Sequence, residues 1–305
     1  MWNGGLISVN DLPAAVRAKA RDAGVGAWVD GLPALLGEIT RAWGLTLGAV
    51  HGDATEACVV DAFLADRTPV VLKLVVPGRG GVAAYEIMVL GLAAGVGCAR
   101  LLESDAARGA LLLERLGPAM SELGLPQPRR LEILCDLAAA VWRRTDLPLP
   151  TGAEKAARLA SGLRPKWSEL GEPCAAATVE QAVAAAESRR RAHDPARAVL
   201  VHGDVHQWNA LRSGDGFKLI DPDGLVAEPE CDLGVLMRED PVELIAADPW
   251  DRAHLLAART GTDPVAIWEW GVADRVATGL TLIAVGLHEV GTDMLRAADR
   301  IAHNG

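Results

Sequence analysis

The stretch Val201-His202-Gly203-Asp204-Val205-His206-Gln207-Trp208-Asn209, with Ile220-Asp221-Pro222-Asp223-Gly224 after it, decides how this chain is read. Between the two lie β-like segments at 209–212 and 217–220, on either side of the turn Ser213-Gly214-Asp215-Gly216, which is the pattern of a hairpin. Phosphoryl transfer explains such spacing. One carboxylate orients a hydroxyl or accepts its proton, while an amide oxygen and a second carboxylate hold Mg²⁺ against the phosphates of ATP. Asp204, five residues before Asn209, suits the first role, and Asn209 and Asp221 suit the metal. Taken singly, Asp204 and Asn209 read better as turn formers and caps. The combination of His-Gly-Asp, the five-residue offset and an Asp-Pro-Asp-Gly at a strand end singles out the chemistry. His202 and His206 read as hydrogen-bonded structural histidines rather than as acid or base.

Outward from this segment the two flanks differ in texture. Residues 13–43 show helical spacing, with Pro33 suited to the first position of a second short helix. Val- and Leu-rich runs follow at 45–50, 57–64 and 69–76, then a Gly-rich break at 78–81, a helical run at 82–94 and two further β-like runs at 98–103 and 110–116. From residue 127 the pattern is mostly helical, clearest at 127–145, 178–193 and 232–237, and in a long run at 264–290 opened by Asp263-Pro264. The expectation is an α+β chain of two lobes. Residues 1–116 would hold N-terminal helices and a five-stranded antiparallel sheet with one helix, and residues 117–305 a larger, mostly helical, catalytic and substrate-binding lobe.

Lys73 interrupts the apolar strand Val70-Val71-Leu72-Lys73-Leu74-Val75, and Glu86 follows on the next helical run. A lone lysine there would simply snorkel to the surface, whereas a strand lysine paired with a helix glutamate is a device for holding the α- and β-phosphates of ATP. The turn around Thr55 is where a phosphate-covering loop would lie, although it lacks Gly-x-Gly-x-x-Gly and serves equally as an ordinary hairpin turn. The run ending at Glu114-Arg115-Leu116-Gly117 would supply the adenine-binding linker, through the Glu114 carbonyl and the Leu116 N–H.

Thirty Lys and Arg stand against 40 Asp and Glu, a formal charge of −10 that argues against a non-specific nucleic-acid binder and would steer a cationic substrate favourably. The same charge also simply aids solubility. Five cysteines with neither a Cys-x-x-Cys pair nor zinc-ligand spacing fit a reducing cytoplasm. The first eight residues lack the pattern of a secretory signal, and the apolar run at 276–287 is too short to span a bilayer. Near the catalytic segment lie Asp223, Glu228, Glu230, Glu239 and Asp240, acidic candidates for the rim of a substrate site. Asp223, Glu230 and Arg238 are the substrate-binding candidates among their neighbours.

On these residues the chain resembles the aminoglycoside/hydroxyurea resistance kinases, within the wider aminoglycoside-phosphotransferase group. The resemblance runs through residues 28–35, Val71-Leu72-Lys73-Leu74, Leu112-Leu113-Glu114-Arg115-Leu116, His202-Gly203-Asp204-Val205-His206 with Asn209, and Ile220-Asp221-Pro222-Asp223. It implies a protein-kinase-like fold, ATP with Mg²⁺ as cosubstrate, and Asp204 as catalytic carboxylate. It also implies a substrate cleft in the α-rich lobe and a structural role for Asp232. An aminoglycoside such as streptomycin leads as the expected acceptor; hydroxyurea or another small hydroxylated metabolite is the alternative. A catalytically silent nucleotide-binding module is a third possibility of a different class.

Overall fold

The computed structural model describes residues 11–52, 54–78 and 81–304. The N-terminal stretch read for a signal, and residues 53, 79 and 80 of the two Gly-containing turns, lie outside the described residues. The chain divides into two compact units, Met1–Gly117 and Pro118–Gly305.

In the first unit two helices, α1 (Ala14–Asp22) and α2 (Gly26–Trp43), precede a five-stranded sheet of β1 (Thr46–Val50), β2 (Ala57–Phe63), β3 (Pro69–Val75), β4 (Leu101–Asp105) and β5 (Ala110–Glu114). The sheet is antiparallel, in the order β1-β2-β3-β5-β4, and α3 (Val82–Ala93) connects β3 to β4. Side chains alternate across a strand. Val70, Leu72 and Leu74 therefore join Cys58, Val60 and Ala62, and Ala110 and Leu112, in a core shared with Val29, Leu32, Leu36 and Ile39 of α2. Lys73 must then project from the opposite face, level with Val59 on β2 and Leu111 on β5.

Two expectations are corrected here. Pro33 lies inside α2 rather than opening a second helix. The buried positions Val29, Leu32, Leu36 and Ile39 keep one apolar stripe running past it, and that packing outweighs the hydrogen bond the proline cannot make. β4 spans Leu101–Asp105 rather than starting at 98, and within it the ladder to β5 slips between Leu101 and Glu103, a bulge that breaks the period-two pattern.

The second unit is mainly helical: α4 (Gln127–Val141), α5 (Gly152–Glu169), α6 (Ala176–Ala192), α7 (Glu230–Leu236), α8 (Pro241–Leu244), α9 (Pro249–Thr260), α10 (Pro264–Ala284) and α11 (His288–Asn304). A 3₁₀ turn at Met120–Glu122 precedes them. α10 is buried on most of its surface, as a central helix must be. The run expected to be one helix to residue 290 stops at Ala284. Gly286 takes φ +88°, and the Leu287 N–H closes back on the Leu282 carbonyl at 2.8 Å, a left-handed cap that starts a new helix. α7 crosses α10 where Gly234 meets Trp270 and Gly271 meets Met237. A Cβ on either glycine would lie 2.3 Å and 2.4 Å from the facing Cβ. Two small antiparallel pairs carry the remaining strands: β6 (Val199–Val201) with β9 (Leu225–Ala227), and the hairpin β7 (Ala210–Ser213) with β8 (Gly216–Leu219).

Candidate active site

Strand β6 delivers the chain into the loop 202–209, and β9 leaves from the segment 220–224, so pairing β6 with β9 brings the two stretches together. Backbone bonds lock them: Ile220 N–H donates to the Asn209 carbonyl at 2.9 Å and Gly224 N–H to the His202 carbonyl at 3.3 Å. Gly203 takes φ +91°, and an added Cβ would meet Asp223 Cβ at 2.9 Å, so both the conformation and the space require glycine. Asp221 holds the left-handed region at φ +58°, a strained setting of roughly 1–3 kcal/mol for a non-glycine residue and of the kind found at functional sites.

The loop is pinned from beneath by Asp232, which is fully buried on α7. Its carboxylate accepts His202 N–H at 3.0 Å, Gly203 N–H at 2.7 Å and the Trp142 indole N–H at 2.9 Å. Asp232 thus plays a structural part. His202 Nδ1 accepts the Asp204 N–H at 3.3 Å, which leaves Nε2 to donate to the Ile220 carbonyl at 3.0 Å. Burial pushes the His202 imidazole below its ordinary value in spite of the nearby Asp232 and Asp204, so the ring stays neutral.

Asp204 is the point of convergence. Its Oδ2 lies 3.0 Å from His206 Nε2 and accepts Asn209 Nδ2 at 3.2 Å, while Oδ1 is held by Arg238. Burial pushes the carboxyl upward, but the Arg238 guanidinium, the His206 hydrogen bond and the neighbouring imidazoles outweigh it and hold Asp204 well below the usual carboxylate range. The carboxylate is ionised and oriented. Both nitrogens of each histidine are taken, since His206 Nδ1 lies 3.3 Å from the Asn209 N–H. The two histidines therefore shape the loop through their hydrogen bonds.

Asn209 spends its amide nitrogen on Asp204, through both Oδ2 and the backbone carbonyl at 3.2 Å, which turns Oδ1 the other way. An amide oxygen and an exposed Asp221 carboxylate are hard oxygen donors of the kind Mg²⁺ prefers. In the first unit Lys73 Nζ donates to both oxygens of Glu86, at 2.7 and 2.8 Å, with residue exposures of only 7% and 2%. Thr55 is exposed in the β1–β2 turn. β5 ends at Glu114, whose N–H and side chain bond to Arg100, and Leu116 lies beyond the last ladder pair.

The expected acidic rim is largely absent. Glu230 is fully buried, its Oε1 accepting Asp263 N–H at 3.0 Å and facing Arg197, so it cannot meet a substrate. Glu228 accepts the Trp270 indole N–H at 2.8 Å and pairs with Arg189. Glu239 is buried and Asp240 pairs with Arg130. Asp223 alone of these five is exposed. Arg238, expected to face substrate, turns instead to Asp204, a contact across 34 residues that no local pattern announces. His206, two residues from Asp204, was within reach of the sequence as a partner for it.

A sheet-plus-helix unit with a buried Lys–Glu pair, followed by a helical unit with an Asp…Asn loop and an adjoining Asp, defines a phosphotransferase of kinase-like fold. The chain belongs to the aminoglycoside/hydroxyurea antibiotic resistance kinases, whose family model matches residues 45–279. It is 32% identical over 250 residues to the hydroxyurea phosphotransferase of Kitasatospora aureofaciens, covering 76% of this chain and 69% of that one. It is 28% identical over 241 residues to the streptomycin 6-kinase of Streptomyces glaucescens, covering 75% and 74%. The solved structure of Plasmodium vivax ethanolamine kinase shares the fold, with a TM-score of 0.57 at 13% identity over 90% of this chain and 88% of that one. Membership makes the chain an enzyme that phosphorylates a hydroxyl of a small molecule and implies ATP as donor. Among the described residues no helix is long and apolar enough to cross a membrane.

Proposed function

We propose that the enzyme transfers the γ-phosphate of ATP to the hydroxyl of a small acceptor oriented by Asp204. The observation that carries this is the Asp204 carboxylate, held ionised by its hydrogen-bond donors on a loop tied directly to the segment of Asp221. Asp204 accepts the hydroxyl hydrogen and aims the oxygen at phosphorus. Asn209 Oδ1 and Asp221 would hold Mg²⁺, which, when bound, neutralises charge on the phosphate oxygens. Lys73, kept in place by Glu86, pairs with the α- and β-phosphates. Thr55 covers the phosphates, and the Glu114 carbonyl and Leu116 N–H receive the adenine. Five cysteines with neither a Cys-x-x-Cys pair nor zinc-ligand spacing support a reducing cytoplasm as the compartment.

For the acceptor we favour a small neutral molecule of the hydroxyurea type over a polycationic aminoglycoside. Four of the five acidic residues that would recommend a polycation are committed to partners within the second unit.

Purified enzyme with Mg²⁺ and ATP, presented with hydroxyurea, streptomycin and other hydroxylated small molecules, should add the mass of one phosphate to its acceptor. Asp204→Asn should lose about 10²–10⁴-fold in turnover and still bind ATP, whereas Asp221→Ala should lose Mg²⁺-dependent ATP affinity by calorimetry. Near-normal turnover in the Asp204 variant would falsify this assignment.

A further inference from the structure

The segment that leaves α7, Met237-Arg238-Glu239-Asp240, is tied down by every charged side chain it carries. Arg238 reaches Asp204 Oδ1 with one terminal nitrogen and, with the other, Thr278 Oγ1 of α10 at 3.0 Å. Glu239 accepts the Gln207 N–H of the same loop at 3.4 Å, and Asp240 pairs with Arg130 at 2.6 Å. The backbone of the segment is braced as well. Arg252 of α9 donates to the carbonyls of Leu236, at 3.2 Å, and Glu239, and Arg275 of α10 donates to the Met237 carbonyl at 2.6 Å. Asp240 sits in the left-handed region at φ +47°. Gathering three largely buried guanidiniums around one strained turn is unfavourable unless each is hydrogen-bonded; here each donates at least one bond, while the buried Arg275 Nε has no hydrogen-bond partner among the described residues.

The contacts of Asp204 give this turn a use. An ionised carboxylate offers about four acceptor positions, two on each oxygen. Oδ2 faces His206 Nε2 and Asn209 Nδ2, which fill it. Among the described residues Oδ1 receives Arg238 alone, so one position is left. A hydroxyl approaching Asp204 takes that position, beside the guanidinium.

We propose that Arg238 is a positioning residue for phosphoryl transfer, clamping Asp204 Oδ1 against Thr278 so that its remaining lone pair faces the acceptor hydroxyl. The inference rests on Asp204 being the group that orients the acceptor. A planar guanidinium spans Oδ1 and Thr278 Oγ1 with two fixed N–H directions, and a lysine ammonium has no such fork. The clamp acts on alignment and does not touch the nucleotide.

The test measures turnover of Mg²⁺ and ATP with hydroxyurea, with streptomycin and with water alone, beside ATP affinity by calorimetry and thermal unfolding, in the wild type, Arg238→Met, Arg238→Lys and Asp204→Asn. Arg238→Met should lose about 100-fold in kcat, the scale of a misplaced reacting group, with ATP affinity unchanged, while its unfolding temperature falls because Asp204 loses its counter-ion. Arg238→Lys should recover part of the loss, and added guanidinium ion should partly rescue Arg238→Met. Wild-type kcat in Arg238→Met, beside an inactive Asp204→Asn, overturns the clamp and leaves the proposed function standing. Loss of ATP affinity and thermal stability in step with kcat, in both Arg238 variants and without guanidinium rescue, reduces Arg238 to a structural residue and also overturns it. An active Asp204→Asn, or a wild type idle with all three acceptors, removes the premise and the inference with it.

Discussion

Lys73 was legible because a charge in the middle of an apolar strand demands a partner, and Glu86 was the acid on the next helical run. The pair is buried, so removing one member deprives the other, desolvated charge of its counter-ion, a loss of about 3–5 kcal/mol in comparable cases. Glu86→Leu should therefore destabilise the first unit more than the double variant Lys73→Met/Glu86→Leu, in a chemical-denaturation cycle. A single variant no worse than the double would show that the two charges are not coupled. Glu239 makes a second residue-scale case, with the sign reversed. Burial raises its carboxyl above the ordinary value, although His206 and Arg238 pull the other way. A raised acid favours folding below its unfolded pKa and loses that advantage as pH climbs through the folded value, so at neutral pH the charge opposes folding. Glu239→Gln should unfold at a higher temperature than the wild type at pH 7, with the gap closing as pH falls toward about 4. A gap that widens on acidification would reverse the assignment. Arg238 was legible only as a charge near the site. Its contact with Asp204 depends on where α7 ends against α10, and no spacing in the chain encodes that.

At the scale of elements, short-range rules succeeded in some places and failed in others. The five-residue offset and the hairpin hold, and a capping box that would have opened α5 stood in plain view: Thr151 accepts Glu154 N–H at 3.2 Å, and Glu154 returns to Thr151 N–H at 2.7 Å. Pro33 misled because a proline signals a helix start locally, while the stripe it interrupts is continued by packing. The crossing of α7 and α10 belongs to this scale as well. Gly234 leaves no room even for a methyl group, its virtual Cβ lying 2.3 Å from Trp270 Cβ and 3.0 Å from the Trp270 backbone carbon. Gly234→Ala must push the helices apart, an overpacking cost of about 3 kcal/mol, and because α7 ends at Met237 the shift should move Arg238 too. The variant should unfold earlier and lose kcat more than ATP affinity. Wild-type stability would mean the two helices do not pack this closely.

The whole molecule carries a charge of −10, which would steer a cationic acceptor favourably but equally serves solubility. Its placement supports the neutral acceptor proposed above. Glu228, Glu230, Glu239 and Asp240 are spent on Trp270 and Arg189, on Asp263 and Arg197, on Gln207, and on Arg130, so they add little field at the site beyond Asp221 and Asp223. Sequence proximity to the catalytic loop brought these acids into the argument, and burial, which sequence does not report for a glutamate, takes them out. The attraction that remains comes from scattered surface carboxylates and is screened beyond roughly 8 Å at physiological ionic strength. A neutral acceptor of the hydroxyurea type feels neither effect, so its KM should stay within about twofold between low salt and physiological strength, with kcat also steady. Streptomycin, if phosphorylated at all, should show at most a shallow rise of KM over the same range. A steep rise of KM with salt for a cationic acceptor, together with no turnover of hydroxyurea, would show that an acidic surface does select the substrate. The preference for a neutral acceptor would then be wrong, while phosphoryl transfer at Asp204 stood.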